Sequence, residues 1–145
     1  MSGVIILDAA KLAQALQIQE GAPPGVYIKS KQDIRGTVTV PSLNTEAAVV
    51  EINPQENDYI IEGYIDLSSM QAGDTLEIRE YIAVDGANYA VYAYGTFSGA
   101  QDQPVVRFTR KTLQAAMKYK VTVRQTAGTP RSFPYGFIVL VYGQA

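Results

Sequence analysis

The sequence contains no cysteine and no histidine among its 145 residues. Without cysteine, the chain can form neither a disulfide framework nor a thiolate metal site. Without histidine, it lacks the commonest general base and the commonest ligand of transition metals. These absences predict a protein that is not a hydrolase or transferase and that carries no cofactor. A calcium or magnesium site built from oxygen ligands alone stays open.

Charge is also scarce in this sequence. Twelve basic and 14 acidic residues give a formal net charge of −2, and only 18% of the residues are charged, against about a quarter in ordinary proteins. No basic block stands out, so the pattern argues against a nucleic-acid partner. A surface with few charges is poorly protected against association. An ordinary surface rich in threonine, serine and glutamine explains the same numbers.

Long apolar runs are missing as well. The first run, from Val4 to Leu7, ends at Asp8 and has no positive charge before it, whereas a secretory signal needs both a longer run and that charge. No segment approaches the roughly 20 apolar residues of a membrane helix. The length and the 47% hydrophobic content are those of one globular domain. The sequence therefore predicts a soluble protein with no membrane partner.

One segment near the start has a helical pattern. Asp8 is a good N-cap, the eight residues after it are strong helix formers, and Leu12 and Leu16 fall on one face. The stretch from 21 to 25 contains two prolines and ends the helix. Residues 1–25 are therefore predicted to form an apolar arm, a short helix and a stiff linker.

After residue 25 the hydrophobic period changes to two, which is the period of strands with one face in the core. The clearest alternation lies in 34–40, 59–67 and 118–124, and Asp85-Gly86 between two such runs is a strong hairpin signal. Residues 26–145 are predicted to form an antiparallel β-sandwich or jelly-roll-like domain. A short helical turn is expected within it at 111–117.

Two predicted strands, at 88–94 and 133–142, are apolar on both faces. Such a strand is covered either by another layer of its own fold, here the N-terminal helix, or by another subunit. Tyrosine is enriched in protein interfaces, although it is also common in strands. We predict that a second subunit provides the cover and that the protein is a homo-oligomer. The predicted interface comprises Val4, Ile5, Ile6, Leu7, Leu12, Leu16, Tyr92, Tyr94, Ile138, Leu140 and Tyr142.

One single carboxylate and one pair of carboxylates are candidates for a catalytic or binding site. Glu80 falls on the apolar side of its strand, where a catalytic acid would have a raised pKa. A β-bulge beside it, or a salt bridge to an arginine such as Arg107, explains the same position and is favoured. Glu62 and Asp66 flank Tyr64, as in a sugar-binding or sugar-cleaving site. A solvated strand face is the favoured interpretation, so no catalytic, cofactor-binding or metal-binding residue is predicted.

Two segments carry a resemblance to a known class of protein. They are EGYIDLSSMQAGDTLEIREYIAVDG (62–86) and VTVRQTAGTPRSFPYGF (121–137), which resemble small β proteins encoded in virus-like gene neighbourhoods. They are also similar to the auxiliary or decoration capsid proteins of tailed viruses. The resemblance implies a cement protein of the virion, often trimeric, that sits on the major capsid protein and reaches its neighbours with an N-terminal arm. The alternatives are a subunit of an extracellular filament or surface layer, and a carbohydrate-binding module.

Overall fold

The computed structural model of this chain describes residues 25–144. The predicted apolar arm and N-terminal helix lie outside the described residues. Eight strands follow one another along the described chain. They are β1 (Val26–Thr39), β2 (Glu46–Ile52), β3 (Tyr59–Asp66), β4 (Thr75–Ala83), β5 (Ala90–Ser98), β6 (Val105–Leu113), β7 (Lys118–Ala127) and β8 (Ser132–Gln144).

The strands form two antiparallel sheets of four strands each. Sheet 1 has the order β1-β8-β3-β6, and sheet 2 has the order β2-β7-β4-β5. Every connection crosses from one sheet to the other except the hairpin from β4 to β5. One hydrophobic core draws its side chains from both sheets. The prediction of an all-β, antiparallel domain is confirmed, and the arrangement is sandwich-like.

The period of two decides which side chains enter this core. Tyr119, Val121 and Val123 alternate along β7 and are fully buried, as are Tyr59 and Ile61 of β3. The side chains of a strand point alternately to opposite faces, so one apolar residue in two is enough to build the inner face. The alternation seen in the sequence therefore predicted the inner faces of these two strands correctly.

The helical turn expected at 111–117 is wrong. Strand β6 runs to Leu113, and the chain turns only between β6 and β7, where the Met117 amide donates a hydrogen bond to the Gln114 carbonyl at 2.9 Å. In the pairing of β6 with β3, Thr109 and Arg110 both lie opposite Glu62. This bulge changes the inward set of β6 from even to odd positions. Lys111 and Leu113 thus point inward, and ladder pairing with β3 outweighs the local helix propensity.

Two buried polar side chains hold the turn between β7 and β8. Asp74 is 2% exposed and accepts hydrogen bonds from Arg131 Nε at 2.8 Å, from the Gln71 amide at 2.8 Å and from the Thr129 amide at 3.2 Å. Gln125, also buried, donates to the carbonyl of Thr129 at 2.7 Å and accepts from the Arg131 amide at 3.1 Å. Burial alone would raise the pKa of Asp74, but these donors outweigh it and lower that pKa below its ordinary value.

Candidate assembly surface

Strand β5 forms one edge of sheet 2 and carries no charged residue and no proline in its sequence AVYAYGTFS. The other three edge strands of the described sheets, β1, β2 and β6, each contain charged side chains. The backbone groups of an edge strand are a template for pairing with another chain, and proteins usually block them with lysine, proline or a bulge. Among the described edges, β5 is the least protected by charge.

The side chains of β5 are also unusually exposed for their type. Val91, Tyr92 and Tyr94 are 55%, 56% and 54% exposed. A bulge at Tyr92 interrupts the pairing with β4, but the six residues from Ala93 to Ser98 keep a regular register with that strand. A straight stretch of six residues is therefore available for pairing on its free side.

Contacts on the outer face of sheet 2 hold Tyr94 in one position. The guanidinium carbon of Arg79 lies 4.7 Å from the centre of the Tyr94 ring, and Arg79 forms an ion pair with Glu77 at 3.1 Å. The Tyr94 hydroxyl donates a hydrogen bond to Glu77 at 3.2 Å and accepts one from Thr96 at 3.1 Å. Because the ring is already ordered, less rotamer entropy is lost when a second molecule covers it.

A second group of tyrosines extends this face away from the edge. The Tyr89 hydroxyl donates to Glu51 at 2.9 Å, and Lys120 Nζ lies 4.4 Å from the centre of the Tyr89 ring and 5.0 Å from that of Tyr81. Partial burial and the negative charge of Glu51 both raise the pKa of Tyr89. This group was not predicted from the sequence. Its members come from three strands and from the connection between β4 and β5. The only related pattern in the sequence is the alternation of Lys118 and Lys120 with apolar residues.

The structure separates the predicted interface residues into two sets. Tyr92 and Tyr94 lie on the β5 edge of sheet 2, whereas Ile138, Leu140 and Tyr142 lie on β8 in the interior of sheet 1. Ile138 is 38% exposed, Leu140 is partly buried, and Tyr142 is only 7% exposed in the single chain. The two sets do not form one surface, and Tyr142 needs no second subunit to bury it. Val4, Ile5, Ile6, Leu7, Leu12 and Leu16 lie outside the described residues.

Glu80 lies on the apolar side of its strand, as the alternation indicated, and the structure shows that it is buried and has two partners. Lys111 Nζ lies 2.7 Å from its carboxylate, and the Tyr119 hydroxyl donates to the same oxygen at 2.6 Å. The salt-bridge interpretation is right in kind, but the expected partner Arg107 is wrong. Arg107 lies instead 3.5 Å from Glu62. The bulge on β6 could not be foreseen, and it is this bulge that turns Lys111 inward.

The two carboxylates of the other candidate site, Glu62 and Asp66, have different roles. Asp66 accepts hydrogen bonds from the amide of Ser68 at 2.9 Å and from its hydroxyl at 2.5 Å, and these bonds lower the pKa of Asp66. It therefore closes a local turn, while Glu62 faces two arginines on β6. Within residues 25–144, no group of three or more acidic side chains is placed to hold a metal ion. The same part of the chain contains no helix able to cross a membrane.

The comparisons with known proteins give likenesses of structure only. No family model matches the sequence, and no curated protein matches it. A Bacillus endospore appendage, described as a disulfide-linked pilus, is 14% identical with a TM-score of 0.49 over 77% of this chain and 87% of that one. The VP2 subviral particle of infectious bursal disease virus is 11% identical with a TM-score of 0.47. The match covers 84% of this chain and about a third (34%) of that protein. A Drosophila NLP core is 14% identical with a TM-score of 0.41, over 74% of this chain and 95% of that one. At these identities and scores the likenesses identify neither a family nor a function.

Proposed function

We propose that this chain is a structural subunit that assembles with copies of itself, and that β5 of one copy pairs antiparallel with β5 of another. The observation that carries the proposal is the uncharged, exposed edge of sheet 2. A twofold contact brings the same patch of two copies together. Like charges would oppose such a contact at the other edges, whereas β5 brings none.

The estimated free energies indicate that the contact needs backbone hydrogen bonds as well as side-chain burial. The exposed surface of two half-exposed tyrosines that a contact can bury is roughly 200 Å² per copy, since a fully buried aromatic side chain buries about 150–250 Å². At about 25 cal/mol per Å² this gives on the order of 10 kcal/mol for two copies. Association costs about 4–15 kcal/mol, so side chains alone leave little surplus. Each backbone hydrogen bond adds about 0.5–1.5 kcal/mol, and the regular stretch from Ala93 to Ser98 supplies several.

The narrower form of this proposal is a decoration protein of a virus capsid, located in the virion and bound to a major capsid protein. The strand orders of the two sheets support a jelly-roll topology, which is common in viral capsid domains. The segments 62–86 and 121–137, which resemble decoration proteins, supply the paired inner strands β3, β4, β7 and β8. The resemblance thus concerns the middle of the fold rather than a surface that would touch a capsid. A subunit of an extracellular filament is the alternative.

The stoichiometry separates these forms. Pairing of β5 with β5 closes as a dimer, so the trimer expected of a decoration protein needs a second contact between copies. An open filament needs a head-to-tail contact that does not close. The role is also proposed to be non-catalytic, because the buried carboxylate of Glu80 is engaged by Lys111 and Tyr119.

Two valines of matched exposure test the edge contact. Val91 on β5 is 55% exposed and Val105 on β6 is 57% exposed, so a lysine at either position costs the isolated fold little. In a twofold antiparallel pairing of Ala93–Ser98, the two copies of residue 91 lie at opposite ends of the contact, so Val91→Lys replaces an apolar side chain at each end with a lysine that opposes strand pairing and must be desolvated. We expect the dissociation constant of self-association to rise about a hundredfold or more. Light scattering coupled to size-exclusion chromatography would measure the mass.

The control variant Val105→Lys is expected to keep the mass of the wild type. A wild type that stays monomeric at high concentration contradicts the proposal. So does an oligomer that Val91→Lys leaves intact. Closed trimers of the wild type would favour capsid decoration, and open polymers would favour a filament.

A further inference from the structure

A groove of about 400 Å³ crosses the outer face of sheet 1, on a different sheet from the β5 edge. Arg35 of β1, Gly136 of β8 and Tyr64 of β3 are paired side by side across it. Asp33, Glu62 and Ile138 form the neighbouring row at one end. Beyond the first row the groove continues into a second hollow of about 230 Å³. The volume of the groove itself, about 400 Å³, lies within the range of ordinary small-ligand sites, which is about 300–1,000 Å³.

The floor of the groove is a glycine that the fold itself does not require. In the same sheet, an added Cβ at Gly63 would lie 2.3 Å from the Phe137 ring and 2.6 Å from the carbonyl oxygen of Gly136, so Gly63 is needed for packing. A Cβ at Gly136 would meet only Arg35 Cγ, at 3.5 Å, and Gly136 is not among the glycines with positive φ. A glycine inside a regular strand weakens it and often marks the close approach of a ligand. We therefore read Gly136 as keeping this space open.

The walls of the groove present an exposed aromatic ring, an arginine and two carboxylates that form ion pairs. The ring of Tyr64 is 50% exposed. The guanidinium of Arg35 has no ion pair or hydrogen bond within the described chain. Glu62 is held at the groove by Arg107 at 3.5 Å and Arg110 at 3.6 Å, and Asp33 lies 3.5 Å from Lys31. Since both carboxylates are neutralised by neighbouring cations, the groove carries no strong net charge.

We propose that this groove binds one neutral pyranose ring of a glycan. A pyranose has an apolar face of C–H groups that packs on an aromatic ring, and hydroxyls at its rim that both donate and accept hydrogen bonds. Tyr64 supplies the ring, Arg35 donates to hydroxyl oxygens, and the oxygens of Glu62 and Asp33 accept from hydroxyl groups. An anion would meet two carboxylates, and a purely apolar ligand would leave the Arg35 guanidinium desolvated without a partner. The proposal does not depend on assembly through β5.

Saturation-transfer NMR on the full chain tests the site, with the methyl glycosides of glucose, galactose, mannose and N-acetylglucosamine as separate probes. We expect transfer to at least one of them, strongest at the C–H face of the sugar. Gly136→Val fills the floor, and we expect it to weaken binding at least about tenfold. Arg35→Ala and Tyr64→Ala alter exposed side chains only, and each should weaken binding about tenfold, which keeps the test decisive if Gly136→Val does not fold.

The control is Thr112→Val, an isosteric change at an exposed position of β6 outside the groove, which should leave binding unchanged. Absence of transfer to all four glycosides would overturn the proposal. Transfer that Arg35→Ala, Tyr64→Ala and Gly136→Val all leave unchanged would also overturn it. Binding of a peptide in the groove, without binding of any of the four sugars, would likewise show that the proposed ligand class is wrong.

Discussion

Replacing Lys111 with methionine is expected to lower the free energy of unfolding by about 3–5 kcal/mol, the usual cost of removing one partner from a buried ion pair. The side chains of Lys111 and Glu80 are only 7% and 11% exposed. Methionine keeps most of the packing volume but leaves the Glu80 carboxylate buried with the Tyr119 hydroxyl as its remaining partner. Denaturation in urea, followed by circular dichroism, would measure the change.

Two further variants separate the buried charge from the loss of packing. The double variant Lys111→Met with Glu80→Gln removes both charges, and we expect it to recover a large part of the lost stability. Lys31→Met breaks an exposed pair, in which Lys31 and Asp33 lie 3.5 Å apart, and should change stability by less than about 0.5 kcal/mol. If Lys111→Met costs no more than Lys31→Met, then the pair is not a buried structural element.

Replacing Asp74 with alanine is expected to cost about 3 kcal/mol or more at neutral pH. The substitution removes the acceptor of three hydrogen bonds and leaves Arg131, the Gln71 amide and the Thr129 amide without it. The turn between β7 and β8 then loses its connection to the start of β4. Thermal unfolding would measure the effect, and Asp102→Ala, at an exposed loop position, is a matched control expected to be close to neutral.

The same residue predicts how stability depends on pH. The pKa of Asp74 is lowered in the folded state relative to its ordinary value of 3.8. Its contribution is therefore fully present above that ordinary value and is lost as the pH falls through the lower, folded pKa. We expect wild type to lose more stability than Asp74→Ala over this acidic range. Parallel acid limbs for the two proteins would show that Asp74 contributes no such pH dependence.

The sequence predicted the strands well where one face is apolar and the other polar. The alternation around Tyr119, Val121 and Val123 is a local property, and the fold uses it as expected. The inward position of Lys111 could not be predicted, because the bulge opposite Glu62 exists only when β6 pairs with β3. Ladder pairing between distant segments overrides local propensity, and the partner of a strand cannot be read from the strand alone.

The candidate surface was predicted in part. Tyr92 and Tyr94 were expected at an interface, and the structure places both on an exposed edge. The apolar even residues of β8 were expected in the same interface, but β8 lies between β1 and β3 in the other sheet. A signal for β5 was present in the sequence, since residues 86–101 contain no charge. That this stretch ends a sheet depends on the order of all eight strands, which periodicity does not encode.

Hydrogen–deuterium exchange at rising protein concentration tests the central claim, self-association through β5, most directly. Amides on the free side of an edge strand exchange readily unless a second chain pairs with them. We predict that protection increases with concentration in peptides covering 90–98, and that the other edges, β1, β2 and β6, stay unchanged. Protection that does not depend on concentration, or that increases on β8 around Ile138 instead of on β5, would contradict the account.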